Sequence, residues 1–289
     1  MHIRDSLHLN EEKYMSAEAK SGARLCPNCK RLISVNAKEC IHCGWKNYGL
    51  SGLGTGFEKI IRSLGGLVPV LIGACVFLYI VALLMDLSAL ASPRGLFGLF
   101  SPGGEALYRL GMTGTYPLAQ GQWWTLFTAI YLHGGLLHIL FNMIWLRNIG
   151  YAVEELFGTS RAFIIFTIAG VAGFLASDLL RVAFTVGASG SIFGLLGALI
   201  YYARHRGGAF GEALFRQVGS WALMAFVFGF LFPGVNNWAH AGGFAGGYLS
   251  ALLLGYQEIR GERTGHRIAA IVLAFITLAG FVLSLTRAA

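Results

Sequence analysis

The chain has 289 residues, 55% of them hydrophobic and 12% charged, with a mean hydropathy of +0.62 and a formal net charge of +8. Soluble domains carry about 25% charged residues, so these figures exclude a disordered chain and argue against a wholly soluble one. They point to a membrane protein, in which surplus Lys and Arg belong on the cytosolic side of a bilayer and not on nucleic acid.

Residues 1–22 read as a polar tail without a cleavable signal pattern. Residues 23–47 hold four of the five cysteines, Cys26, Cys29, Cys40 and Cys43, as two Cys-x-x-Cys pairs ten residues apart. Each pair can fold as a tight knuckle that points two thiolates at one place. Two knuckles supply the tetrahedral sulfur set that zinc prefers. Gly44, directly after Cys43, suits the left-handed residue such a knuckle needs. Two disulfides would use the same residues, but a short basic segment with no signal sequence fits a reducing compartment better. The stretch resembles a zinc-ribbon module. A closed four-thiolate site leaves no open coordination position, so the expected zinc is structural. His42 is expected to be a bystander, and Cys75, inside an apolar run, a buried small hydrophobe. Lys30, Arg31 and Lys38 make the ribbon basic, yet it lacks an aromatic-basic stripe, so a protein partner is expected and nucleic acid is not.

Residues 48–63 read as a Gly-rich linker ending in a short amphipathic approach to the membrane. Ser63 to Met85 is uncharged and long enough to span once. Asp86 to about Gly121 mixes polar and apolar residues with Pro93, Pro102 and Pro117 and is expected to be a non-helical functional loop, with Trp123-Trp124 at the interface. Further spans are expected at Gly135–Tyr151, Ala162–Ser177 and Ser189–Ala203. Two more lie on either side of Pro233-Gly234 within Gln217–Gln257, and a seventh is Ile268–Thr286. With the N-terminus in the cytosol, Lys59, Arg62, Arg147, Arg161, Arg204, Arg206, Arg216, Arg260, Arg263 and Arg267 fall inside. Arg94, Arg109, Arg181 and Arg287 fall outside, as does the C-terminus. That bias satisfies the positive-inside rule.

Polar residues within spans need a reason, because unsatisfied polar groups in hydrocarbon are costly. Ser189 opens the fourth span between Gly187 and Gly190, where free backbone N–H groups can bind a developing oxyanion. His240 lies in the sixth span on the face of Gly243 and Gly247, which can press against the stripe of Gly190, Gly194 and Gly197. That approach would bring a serine within reach of an imidazole able to take its proton. His138 and Asn142, one helical turn apart after His133, share a face and can both donate to a negative oxygen. Each feature has a structural alternative: an N-cap for Ser189, a carbonyl bond for His240, and helix–helix glue or metal ligation for the third group. Taken together they fit one shallow, water-accessible site. A cation transporter fits less well, since Asp178, Glu154 and Glu155 sit only at span ends.

The ordered motifs HGGLLHILFN, AVEELFG, GASGSIFGLLGA and AHAGGFAGGY resemble those of rhomboid intramembrane serine proteases. The resemblance implies an all-α membrane fold, a six-helix core at residues 64–257, followed by a cytosolic loop and seventh transmembrane helix at 258–289. It implies Ser189 as nucleophile, His240 as general base, and His138, Asn142 and the Ser189 N–H as the oxyanion hole. Gly187 matches the glycine before the nucleophile, Phe193 a ring supporting the histidine, Glu154 a tie between helix ends, and Gly243 and Gly247 the close-packing face. It implies no catalytic cofactor, transmembrane substrates cut near the outer leaflet of a plasma membrane, and a lateral gate between the fifth and second spans. The chain departs from the family where Trp124 is followed by Thr125 in place of an arginine. With no acidic residue near His240 in sequence, packing on Phe193 must orient the imidazole, and a slow enzyme is expected.

Overall fold

The computed structural model describes residues 23–26, 29, 31–34, 37, 39–44, 56–57, 60–86, 100–232, 234–259 and 261–287. The expected tail at 1–22, most of the linker, and Lys30, Lys38, Lys59, Pro93, Arg94, Pro233 and Arg260 lie outside the described residues. The chain divides into two units between Gly52 and Leu53.

The first unit pairs β1 (Ala23–Leu25) with β2 (Leu32–Ser34) in an antiparallel register of Ala23 to Ser34, Arg24 to Ile33 and Leu25 to Leu32. The strands are too short to hold a sheet on their own. Cys26, Ile33 and Cys40 form the small core beneath them. Each knuckle closes with a backbone bond, Cys26 N–H to Arg31 O at 2.8 Å and Gly44 N–H to Cys40 O at 2.9 Å. Gly44 takes the expected left-handed conformation, with φ +67°.

The second unit is helical: α1 (Leu67–Met85), α2 (Gly104–Arg109), α3 (Thr115–Ala119), α4 (Thr125–Thr128), α5 (Leu136–Phe157), α6 (Thr159–Leu179), α7 (Ser189–Arg206), α8 (Gly208–Gly229), α9 (Asn237–Leu254) and α10 (Thr264–Arg287). Among the described residues, four helices, α1, α5, α6 and α10, are long and apolar enough to cross a membrane. The glycine-rich α7 differs because its environment differs. Every residue from Gly190 to Ala203 is buried by neighbouring helices, so it need not be apolar towards lipid. By contrast α8 buries only Gly211, Val218 and Gly229 and lies at the edge of the bundle.

The reading of Asp86–Gly121 as free of helix is corrected by α2 and α3. Helices of five or six residues have no autonomous stability, so no local pattern announces them. They persist because Leu107 and Leu110 pack on Ala82 and Leu132, and because Pro117 sits in the first turn of α3, where its missing N–H costs nothing. The fifth long helix also starts earlier than expected, at Gly208, because the charged Glu212 and Arg216 belong to an exposed amphipathic start of α8 and not to a loop.

Glycine sets the contacts at the centre. A Cβ on Gly243 would strike the Gly190 carbonyl, and one on Gly247 the Gly194 backbone. Gly173 and Gly242 allow α6 equally close to α9, with a Cβ of Gly173 only 2.5 Å from Ala239 O. Glu154, near the end of α5, accepts the Leu67 N–H at 3.1 and 3.2 Å and the Thr159 hydroxyl at 3.0 Å. It therefore caps α1 and binds the start of α6, joining three helix ends.

Candidate active site and metal centre

Gly190 faces Ala239 across the α7–α9 contact, its Cβ position 3.3 Å from the Ala239 carbonyl oxygen. The residues on either side of that contact are Ser189 and His240. Ser189 is the first residue of α7 and is partly exposed, while His240 is buried. The hydroxyl is reachable and the imidazole is held. No hydrogen bond joins Ser189 Oγ to the His240 ring; in catalytic sites such bonds often tighten only when substrate binds.

Two neighbours fix the imidazole. Phe193 stacks on it with ring centroids 4.2 Å apart and an interplanar angle of 12°. Asn237 Oδ1 lies 3.1 Å from Nδ1. An amide oxygen only accepts, so Nδ1 carries the proton and Nε2 keeps its lone pair. Sequence reading missed Asn237; the available signal was its position three residues before His240, on the same helix face. Asn236 caps α9 by accepting the Ala239 N–H at 3.1 Å and donates to Ser177 Oγ at 2.8 Å and Thr185 Oγ1 at 3.1 Å. The start of α9 is thereby tied to α6 and to the segment entering α7.

Gly187 has φ +129°, and a Cβ there would stand 2.7 Å from His138 Nε2 and 3.9 Å from Ser189 Oγ. This places His138, Gly187 and Ser189 around one point, and the closeness explains why only glycine fits. His138 Nδ1 accepts the Gly134 N–H at 3.4 Å, so its proton sits on Nε2, facing Gly187. Asn142 Nδ2 donates to His138 O at 2.7 Å, and the amide has a second hydrogen that this bond does not consume. His133 lies 5.1 Å from the His138 ring, edge to face. Burial, and then His138, push the His133 pKa well below the usual histidine range, so it stays neutral.

In the first unit the four cysteine sulfurs lie within 4.8 Å of one another, close enough to hold a metal ion. Cys26 and Cys43 Sγ are 3.8 Å apart and Cys29 and Cys40 Sγ 3.6 Å, and none is in a disulfide.

Residues 120–257 match the family model described as Rhomboid domain. The chain is 35% identical over 177 residues to "Rhomboid protease GluP" of Bacillus subtilis (strain 168), a match covering 61% of this chain and 34% of that protein. It is 31% identical over 227 residues to "RHOMBOID-like protein 5" of Arabidopsis thaliana, covering 65% of this chain and 69% of the relative. "Putative rhomboid protease YdcA" of Bacillus subtilis (strain 168) is 30% identical over 138 residues, covering 47% and 69% respectively. The matched region thus spans between a third and two fifths of the length of GluP and of "RHOMBOID-like protein 4" of Arabidopsis thaliana, at 34% and 40%.

Proposed function

This chain belongs to the rhomboid family, and from that premise we propose that it is an intramembrane serine endopeptidase that cleaves transmembrane segments. Ser189 Oγ attacks the substrate carbonyl while His240 Nε2 takes its proton. The tetrahedral oxyanion accepts hydrogen bonds from His138 Nε2, Asn142 Nδ2 and the Ser189 backbone N–H. The imidazolium returns the proton to the leaving amine, and water then hydrolyses the acyl-enzyme with His240 again as base. The observation that carries this reading is the His240 ring itself, stacked on Phe193 and bonded at Nδ1 so that Nε2 is left basic, one residue from the Gly190–Ala239 contact.

A helix hides its carbonyls in hydrogen bonds, so substrates with helix-weakening Gly or Pro near the outer leaflet are favoured. The bilayer is the plasma membrane, with the ribbon in the cytosol and the C-terminus outside. Substrate enters between α8 and α5; the exposed position of α8 suits a gate. The ribbon metal is zinc: Zn–S bonds of about 2.3 Å in a tetrahedron put sulfurs roughly 3.8 Å apart, close to the spacings of 3.6 and 3.8 Å. Zinc holds the fold of the ribbon, which docks a protein partner.

The second reading is a proteolytically inactive binder of transmembrane segments, which the relatives named only "RHOMBOID-like" leave open. Cleavage of a Gly/Pro-weakened transmembrane substrate in proteoliposomes separates the two. Wild type should cleave and Ser189→Ala should not. No cleavage by either would support the binder, and equal cleavage by both would refute the assignment of Ser189.

A further inference from the structure

The rhomboid match ends at residue 257, so nothing in it gives α10 a role. Yet α10 is tied by polar contacts to the segment that leads into the candidate site. Trp124 Nε1 donates to Ser284 Oγ at 3.0 Å across 160 residues of sequence, and both side chains are buried. The Ser284 hydroxyl in turn donates to Gly280 O at 2.9 Å. The Arg287 guanidinium stands 5.5 Å from the Trp124 ring centroid, and its Nη2 donates to Gln120 O at 3.4 Å. Gly280 packs tightly against this segment: a Cβ would lie 3.1 Å from Thr128 Cγ2 and 3.3 Å from Trp124 Cβ. Thr128 donates to Gly111 O at 2.7 Å, and a Cβ on Gly111 would be 2.5 Å from Ser284 Oγ. One residue beyond Thr128, the Ala129 carbonyl accepts the Gly187 N–H at 2.9 Å. Gly187 is the residue whose backbone sits between His138 and Ser189.

We propose that α10 is a buttress of the reaction centre, with Ser284 and Arg287 as positioning residues that hold Trp124 and, through the 124–129 turn, the Gly187 backbone ahead of Ser189. This rests on the proteolytic reading for its consequence, but the positional claim stands on the contacts. Without the Ser284 hydroxyl, the buried indole N–H loses its partner. The turn then loosens, and Gly187 no longer holds the nucleophile and His138 at a fixed separation. Chemistry suffers while the substrate-facing surface is unchanged, so the loss appears in kcat and not in KM.

The test is a double-mutant cycle on the full chain in nanodiscs. Trp124→Phe removes the donor and keeps the ring; Ser284→Ala removes the acceptor; Ser284→Thr keeps the hydroxyl. The first readout is the rate of Ser189 labelling by a fluorophosphonate, and the second is amide hydrogen exchange at 125–131 and 187–189. Each single variant should label roughly three- to tenfold more slowly, the size of effect one hydrogen bond gives. The double variant should be no slower than either single one, since the bond is already gone. Ser284→Thr should restore the rate, and exchange should quicken in both loss variants. Losses that add in the double variant, or exchange unchanged in Ser284→Ala, would overturn the buttress. A wild type that fails to label would overturn the protease reading alone, because the exchange readout reports the buttress without it.

Discussion

The substitution Gly247→Ala tests the close approach that the candidate site depends on. A Cβ at Gly247 falls against the carbonyl oxygen, carbonyl carbon and Cα of Gly194. All three are backbone atoms, so no side chain can rotate away. Carbon and oxygen approach no nearer than about 3.3 Å even in a favourable C–H···O contact, and the new methyl stands about an ångström short of that. The helices α7 and α9 must therefore part by about that distance. Alanine is worth about 0.5–1 kcal/mol over glycine within a helix, while overpacking a filled interface costs about 1–3 kcal/mol, so the clash wins. The larger consequence is for chemistry. Ser189 and His240 sit on opposite sides of this interface, and if they react as proposed, a displacement of about 1 Å between them costs on the order of 100-fold in rate. Fluorophosphonate labelling of Ser189 and proteoliposome cleavage should both fall by that order. Gly219→Ala is the control, because its Cβ meets only Ile200 Cδ1 at 3.9 Å, and should label at the wild-type rate. If Gly247→Ala labelled as fast as Gly219→Ala, the reasoning from the glycine contact to the dyad would be wrong.

Asn237→Ala removes the acceptor 3.1 Å from His240 Nδ1, so the imidazole loses its fixed tautomer; we expect kcat to drop by about three- to tenfold with KM unchanged, measured by steady-state cleavage of a peptide-reporter substrate. Chelating the ribbon metal should release one zinc per chain by mass spectrometry and unfold the ribbon while leaving Ser189 labelling intact. Loss of labelling with the helical unit still folded would show that the ribbon serves the reaction directly.

The ribbon was legible in the sequence because its information is local: two Cys-x-x-Cys pairs state the donor set without reference to anything distant. The long apolar helices were legible because mean hydropathy over one span is likewise local. What sequence left out depends on meetings between remote segments. The sequence places Arg161 on the cytosolic side but says nothing of its burial; it is fully buried, its Nε donating to Phe157 O at 2.6 Å and its Nη1 to Leu254 O at 3.3 Å and Gly255 O at 3.1 Å. Those are carbonyls that the ends of α5 and α9 cannot bond internally, and only the fold shows that one side chain reaches both. The absent arginine after Trp124 had a similar outcome. The position after Trp124 is a buried Thr125 bonded to Thr113 at 3.0 Å, and the guanidinium beside the indole comes from Arg287, at the far end of the chain. Helices α2 and α3 were invisible because their stability comes from the apolar residues they meet, not from their own composition.

Phe193 and Asn237 explain how an imidazole can be oriented here without an acid. A carboxylate partner would fix the tautomer and support the imidazolium, as in soluble triads, but a charge buried in a membrane bundle is expensive unless it is fully paired. The amide oxygen of Asn237 fixes the same tautomer with a neutral group, and the Phe193 ring, 4.2 Å away and nearly parallel, fixes the plane. Neither supplies a full counter-charge to the imidazolium that forms during attack. Under the proposed mechanism the transition state therefore leans on the oxyanion donors, and His138 and the helix start at Ser189 carry stabilisation that an aspartate would otherwise share. The backbone crowding around Gly187, where a Cβ would lie 2.7 Å from His138 Nε2, is consistent with that division. On that mechanism the donors must already be in place, because the base side of the reaction has little to spare, and the expected outcome is a slow turnover that tolerates little displacement of α7 against α9.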